Sequence, residues 1–290
     1  MRYQNLGASD LSVSVVGLGC NNFGGRIDMP ATRLVVDAAI DAGITLFDTA
    51  EFYGGGGGSE TFLGELLAGR RDKVVLATKF GYGPYEMPYP QTLGGKGSRS
   101  YIRYAVEQSL TRLRTDRIDL YLLHWRGSIP LTETLAGFER LLREGKIRHY
   151  GVSNFDRADM AEWVALKGGD TVAADQVLYN LSRRGPEWDL VPWCRERGIA
   201  IMAYTPLGQG SLLHDRTLAE IAHRRNATPA QVALAWLLRQ EGVIVIPKAA
   251  RLEHVRDNRG ALDVALTEED LAALDRAFPP PKGKRSLGML

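Results

Sequence analysis

Short apolar runs rich in β-branched residues alternate with longer amphipathic stretches from one end of this chain to the other, and that alternation limits its architecture more than any other feature. The runs read as strands at Val15–Gly19, Ile44–Phe47, Val74–Thr78, Ile118–Leu123, Ile147–Val152, Val172–Gln176, Ile199–Ala203 and Val243–Ile246. Between them the spacing of apolar residues predicts helices at Ala31–Ala42, Ser59–Ala68, Tyr101–Leu113, Leu131–Arg143, Arg157–Leu166, Glu187–Glu196 and Pro229–Gln240. Gly43, Gly145, Gly198 and Gly242 each stand between a helix and the next strand, where a left-handed capping residue is wanted. Eight strands in strict alternation with helices, with no linker-like break, predict an α/β chain folded as a (β/α)8 TIM barrel, a single domain over residues 1–290. Residues 1–14 stand outside the alternation. Tyr3-Gln-Asn-Leu-Gly7 and Leu11-Ser-Val-Ser14 read as a β-hairpin closing the bottom of the barrel.

The rival architecture, a doubly wound open sheet, usually carries Gly-x-Gly-x-x-Gly after its first strand. Here the first strand ends Gly17-Leu-Gly19-Cys-Asn-Asn22, with Asn at the third glycine position, and the run Gly54–Gly58 lacks the Lys-Ser/Thr of a phosphate loop. The 36 basic and 34 acidic residues leave a net charge of +2, which gives no case for nucleic acid or an anionic membrane as partner. Cys20 and Cys194 have no metal-ligand spacing, so no metal site is expected. With neither a signal-peptide core at Met1-Arg-Tyr-Gln-Asn5 nor an apolar run of membrane-spanning length, a cytoplasmic protein is expected.

Four polar residues sit at or just past the ends of consecutive strands: Asp48, Tyr53, Lys79 and His124. In a barrel of this kind the C-terminal strand ends converge on one mouth, the face that carries the chemistry. A phenol near pKa ~10 is a weak acid at neutral pH, and an adjacent ammonium would lower that value by stabilising the phenolate. Tyr53 is therefore the expected general acid, Lys79 its tuner, Asp48 the anchor of Lys79, and His124 the donor that orients a carbonyl oxygen. Taken singly three of them have a bland reading: Asp48 as a turn residue, Lys79 as a solvated surface charge, His124 as a hydrogen-bonded core histidine. Their joint placement on neighbouring strand ends favours catalysis.

Asp48-Thr-Ala-Glu-Phe-Tyr53-Gly, Ala77-Thr-Lys79-Phe-Gly81, Leu122-Leu-His124-Trp125, Gly151-Val-Ser-Asn154-Phe and Tyr204-Thr-Pro-Leu-Gly208 together resemble the aldo-keto reductases, in that family's order, from Val15 to about Phe278. The resemblance implies an NAD(P)H-dependent oxidoreductase in which Asp48, Tyr53, Lys79 and His124 match the family's catalytic tetrad, hydride passing from nicotinamide to carbonyl carbon as Tyr53 protonates the oxygen. It also implies cofactor contacts: Asp48, Ser153, Asn154 and Gln176 at the nicotinamide, Tyr204 stacked on its ring, and Thr205, Leu207, Gly208 and Gln209 over the pyrophosphate. Lys248, Ala249, Arg251 and His254 match the segment that holds the 2′-phosphate of the adenosine, and Asn258 an adenine contact. The cations favour NADPH. NADH stays possible, because His254 stands where NADPH-preferring members often carry Arg, and Ala249 replaces a common Ser.

Asn21, Asn22, Phe52, Tyr82 and Trp125 are the expected substrate lining, with the Tyr82–Tyr101 loop as a wall. After a helix at Leu266–Phe278 the tail is shorter than that of steroid-reducing members, so a small aldehyde or ketone is expected. Leu123-His-Trp-Arg-Gly-Ser128 and Gln176-Val-Leu-Tyr-Asn-Leu-Ser-Arg-Arg184 are most similar to bacterial reductases of methylglyoxal and related carbonyls. Two other readings stand beside this one: a non-enzymatic NADPH-sensing subunit, and a phosphate-binding barrel lyase or isomerase using Lys79 as a Schiff base. The oligomeric state is open, with a monomer slightly preferred.

Overall fold

In the computed structural model, which describes residues 1–290, strands follow one another around a single parallel sheet in the order of the chain. They are β3 (Leu18–Gly19), β4 (Leu46–Asp48), β5 (Val75–Phe80), β6 (Ile118–Leu123), β7 (Ile147–Ser153), β8 (Ala174–Leu178), β9 (Ala200–Tyr204) and β10 (Val243–Val245). The ring closes where the first strand meets the last: Gly17 N donates to Val245 O at 2.8 Å, Gly19 N to Pro247 O at 3.0 Å and Val245 N to Val15 O at 3.1 Å. Both faces of such a sheet are covered, which is why its strands read as nearly continuous apolar runs.

Helices α1 (Met29–Asp41), α3 (Gly58–Leu66), α4 (Arg99–Leu113), α5 (Leu131–Arg143), α6 (Arg157–Val164), α7 (Leu190–Glu196), α8 (Arg216–Arg225), α9 (Pro229–Leu238) and α10 (Leu252–Gly260) lie outside the ring, followed by α11 (Glu268–Ala277). Thr228 caps α9, its hydroxyl accepting from Gln231 N at 3.1 Å while the Gln231 side chain accepts from Thr228 N at 3.0 Å, with Pro229 at the first helical position. One expectation needs correction. The helix expected from Glu187 begins at Leu190, after a tight turn at Gly185–Glu187, and α8 had no counterpart in the sequence reading. Helix α8 buries only Leu218, Ile221 and Ala222, too thin a stripe to stand out among its charges.

The strands β1 (Tyr3–Asn5) and β2 (Ser12–Ser14) form the antiparallel hairpin. Leu6, Leu11 and Val13 cluster with Leu46, Ala77, Leu120, Leu122, Ala174, Ala200, Met202, Ile244 and Ile246, so the hairpin packs onto the interior of the barrel. Ala8 N donates to Gly198 O at 2.6 Å, at the entrance to β9, which sets the hairpin at the N-terminal end of the strands. Because side chains alternate with period two along a strand, the next inward residues after these apolar ones are Asp48, Lys79, His124, Gln176 and Tyr204. The interior is thus apolar and plugged at one end and polar at the other.

Candidate active site

The polar end is built around one buried ion pair. Lys79, fully enclosed, donates to Asp48 Oδ2 at 2.7 Å and to Thr49 O at 2.7 Å. Burial alone would lower its pKa; Asp48 and then Tyr53 outweigh that cost and raise it above the usual lysine value. The other Asp48 oxygen accepts from Gln176 Nε2 at 2.8 Å, so both carboxylate oxygens are held.

Tyr53 opens the short turn α2 (Tyr53–Gly56), where Gly54, Gly55, Gly56 and Gly57 all have positive φ. This is the purpose of the glycine run: a Cβ at Gly54 would lie 2.6 Å from Phe23 O, and the left-handed backbone turns the chain directly into α3. Lys79 Nζ sits 5.0 Å from the centroid of the Tyr53 ring. The expectation for the phenol needs a change of sign. Lys79 does pull its pKa down, but desolvation of the phenolate is larger and Asp48 opposes, so the net shift is upward. The protonated form of Tyr53, the form that can give a proton away, is the one these surroundings favour.

His124 is buried, its ring centroid 6.2 Å from that of Tyr53 and its Nδ1 without a hydrogen-bond partner. It is therefore not a fully hydrogen-bonded core histidine. Burial and then the charge of Lys79 hold its pKa well below the usual imidazole range, leaving a neutral ring at neutral pH. Its carbonyl accepts from Asn154 Nδ2 at 3.1 Å.

Next to the tetrad lies a second polar group. Ser153 pairs with Gln176 across β7 and β8, its hydroxyl donating to Gln176 O at 2.8 Å, and Tyr204 donates to Asn154 Oδ1 at 2.9 Å. Asn154 takes a left-handed conformation, φ 61°, which turns the chain out of β7. Thr205, Leu207, Gly208 and Gln209 follow β9 as a kinked loop with positive φ at Thr205, Gly208 and Gln209, fastened by Asn180 Nδ2 donating to Thr205 O at 2.9 Å.

A third group occupies the rim beyond β10. Lys248 and Arg251 are exposed, Arg251 contacting His254 Nε2 at 3.0 Å, while Ala249 and Asn258 are buried. Asn22 Nδ2 donates to Ala249 O at 3.3 Å and leaves Asn22 Oδ1 enclosed without a partner. Burial and then the nearby Arg26 lower the Lys248 pKa, and none of Lys248, Arg251 or Arg26 has a carboxylate within ion-pair distance. An uncompensated cluster of three cations fits a phosphate dianion. Arg26 was not apparent from the sequence; its charge bears on Lys248 because the first and last strands are neighbours in the closed ring.

Phe52, Tyr82 and Trp125 form an aromatic wall: Phe52 and Tyr82 stack with centroids 4.1 Å apart, and Tyr82 meets Trp125 edge-on at 6.0 Å. Tyr82 is also 5.0 Å from His124. Tyr85 joins at 5.6 Å from Phe52, and Lys96 secures this loop by donating to the carbonyls of Tyr82, Gly83 and Tyr85 at 2.8, 2.9 and 2.8 Å. Neither Tyr85 nor Lys96 was foreseen. Asn21 is exposed and makes no side-chain hydrogen bond, so it is not drawn into the wall.

Residues 15–278 match the model of the aldo/keto reductase family. The chain belongs to that family. It is 45% identical to methylglyoxal reductase YeaE of Escherichia coli strain K12, over 98% of this chain and 97% of that protein. It is 33% identical to probable aldo-keto reductase 1 of Glycine max, over 94% of this chain and 88% of that one. Among solved structures, an aldo/keto reductase from Klebsiella pneumoniae in complex with NADP and acetate superposes with a TM-score of 0.89 at 41% identity, each chain covered in full. A Klebsiella pneumoniae structure with NADPH gives the same score at 42% identity. An oxidoreductase of the aldo/keto reductase family accounts for both the barrel and its polar end. No helix is long and apolar enough to cross a membrane.

Proposed function

We propose that this single-domain barrel reduces small aldehydes and ketones to alcohols with NADPH, and that methylglyoxal is among its substrates. The observation that carries the reading is the enclosed Asp48–Lys79 pair set against the Tyr53 phenol, with a neutral His124 across from it. Reduction of a carbonyl needs one hydride and one proton. Reduced nicotinamide supplies the hydride when bound; Ser153, Asn154, Gln176 and Tyr204 are the groups that would hold its ring, and Lys248, Arg251 and Arg26 those that would meet the 2′-phosphate.

The chain's own part is to orient the carbonyl and deliver the proton. Neutral His124 donates a hydrogen bond to the carbonyl oxygen without contributing a charge of its own. Tyr53 gives its phenolic proton to that oxygen as negative charge builds there, and Lys79 stabilises the resulting phenolate. Asp48 keeps Lys79 charged throughout. The same pairing counts against a Schiff base on Lys79, because a protonated amine is not a nucleophile. The aromatic wall of Phe52, Tyr82 and Trp125 offers flat apolar surface beside His124, suited to a small planar dicarbonyl. Two free thiols, Cys20 and Cys194, are consistent with a reducing compartment such as the cytoplasm.

The test is a spectrophotometric panel of aldehydes and ketones with NADPH and with NADH. Turnover with small carbonyls and a lower KM for NADPH support the proposal; stoichiometric NADPH oxidation without turnover would instead favour a sensing subunit.

A further inference from the structure

Between Asp48 and Tyr53 lies a second carboxyl, Glu51, to which proton delivery assigns no task. The residue is 1% exposed. Oε1 accepts from Gly81 N at 2.7 Å and from the Tyr101 phenol at 3.2 Å, while Oε2 is enclosed without a partner. The main chain here prolongs the β4–β5 pairing: Thr49 N donates to Ala77 O and Glu51 N to Lys79 O, and the Glu51 carboxyl itself takes the next rung at Gly81 N. Phe52 follows Glu51 and Tyr82 follows Gly81, and those two rings are the stacked pair of the aromatic wall. Phe52 also lies edge-on to Tyr53, with centroids 4.8 Å apart, and 5.5 Å from His124.

We propose that Glu51 is a positioning residue for the reduction: its buried carboxyl ties the Phe52–Tyr53 segment to the Gly81–Tyr82 strand end and so sets the wall against which the carbonyl is held. The proposal rests on the reductase reading of the same site. Facing the carboxyl are Glu60 from α3, Tyr101 and Arg112 from α4, Tyr89 from the loop before α4, and Tyr121 from β6. Arg112 is already paired with Glu60 at 2.7 Å, and Thr78 donates to the same Glu60 carboxylate at 2.6 Å. Nothing cationic is therefore left to neutralise Glu51 alone. Burial pushes its pKa up to about 7, opposed by the Gly81 N–H and assisted by Glu60. Above that pH the Gly81 N–H and the Tyr101 phenol hold the charged Oε1 more strongly, but a charged Oε2 is left bare in a dry site, and the shift of the Glu51 side chain that brings Oε2 to water disturbs the Phe52–Tyr82 stack it carries.

The experiment measures KM for methylglyoxal at saturating NADPH from pH 5.5 to 8.5 in the wild-type protein, Glu51→Gln and Tyr101→Phe. Wild-type KM is expected to rise by about threefold or more across neutrality with a smaller change in kcat, as expected when ground-state binding is what changes. Glu51→Gln, which keeps an acceptor for Gly81 N and cannot ionise, should show a flat profile. Tyr101→Phe removes a hydrogen bond that lowers the Glu51 pKa, so its inflection should move to higher pH while the fold is retained. An inflection shared unchanged by both variants overturns the role of Glu51 and leaves the reductase reading standing. A wild-type protein that turns over no carbonyl overturns the reductase reading itself.

Discussion

Replacing Asp48 with Asn removes one negative charge and almost no volume, which makes it a sharp probe of the ion pair. The carboxylate has two acceptors in use, one for Gln176 Nε2 and one for Lys79 Nζ, and an Asn side chain offers a single carbonyl oxygen for both. Lys79 would lose its only charged partner and keep neutral oxygens alone, Thr49 O at 2.7 Å among them, in a site where its side chain is 0% exposed. Removing one partner of a buried pair costs about 3–5 kcal/mol. That loss depends on pH in a defined direction. With Asp48 present, the folded pKa of Lys79 lies above the ordinary lysine value of 10.5, so the pair's contribution is complete below 10.5 and fades above. Without Asp48, burial dominates and drops the folded pKa below 10.5; the unfolded chain then binds the extra proton, and variant stability rises with pH toward that value. Urea denaturation at pH 7 and pH 9.5 reads both effects. The Asp48→Asn variant should lose about 3–5 kcal/mol at pH 7 and distinctly less at pH 9.5. A loss below about 1 kcal/mol at pH 7, or one unchanged at pH 9.5, would refute the reasoning.

Glu51 supplies a second linkage at lower pH: a rise from 4.5 to about 7 at ~1.4 kcal/mol per pH unit means the folded state loses roughly 3 kcal/mol from this group as pH rises through that window. The stability of Glu51→Gln relative to wild type should therefore improve between pH 5 and pH 8 in denaturant melts, and a constant difference would contradict the buried-carboxyl account. Substituting both Lys248→Met and Arg251→Met should weaken NADPH binding about tenfold or more by titration and leave NADH within about twofold, since only the 2′-phosphate is lost as a partner; equal weakening of both would remove these cations from the phosphate site. Gly54→Ala places a methyl against Phe23 O at a positive φ, so it should cost roughly 1–3 kcal/mol in thermal melts and lower kcat by displacing Tyr53. An unchanged melting temperature would mean the turn relaxes freely.

The placement of Asp48, Lys79 and His124 at one end of the barrel could be read from the sequence because strand alternation is rigid: once Leu46 and Ala77 face the interior so do Asp48 and Lys79, and once Leu122 does so does His124. The barrel followed from the same periodicity, and the hairpin plug from the residues it left over. What escaped depends on distances between elements far apart in the chain. The sign of the Tyr53 pKa depends on how much protein surrounds the phenol, a depth that no local pattern encodes. The charge of Arg26 bears on Lys248 only through closure of the ring, Lys96 meets the carbonyls of Tyr82, Gly83 and Tyr85 only through the path of a loop without periodicity, and Glu51 is buried only because Gly81 and α4 close over it. Asn21 adjoins a buried residue, Asn22, but is itself exposed, a difference that no local pattern encodes.

The central claim is that Tyr53 delivers the proton while taking little part in holding the cofactor. Tyr53→Phe deletes one oxygen and keeps the ring against Phe52 and Lys79. With methylglyoxal in excess, its NADPH oxidation should fall by about 10²-fold or more in kcat while the Kd for NADPH, read by fluorescence titration, stays within about twofold of wild type. Near-wild-type turnover in that variant would contradict the account.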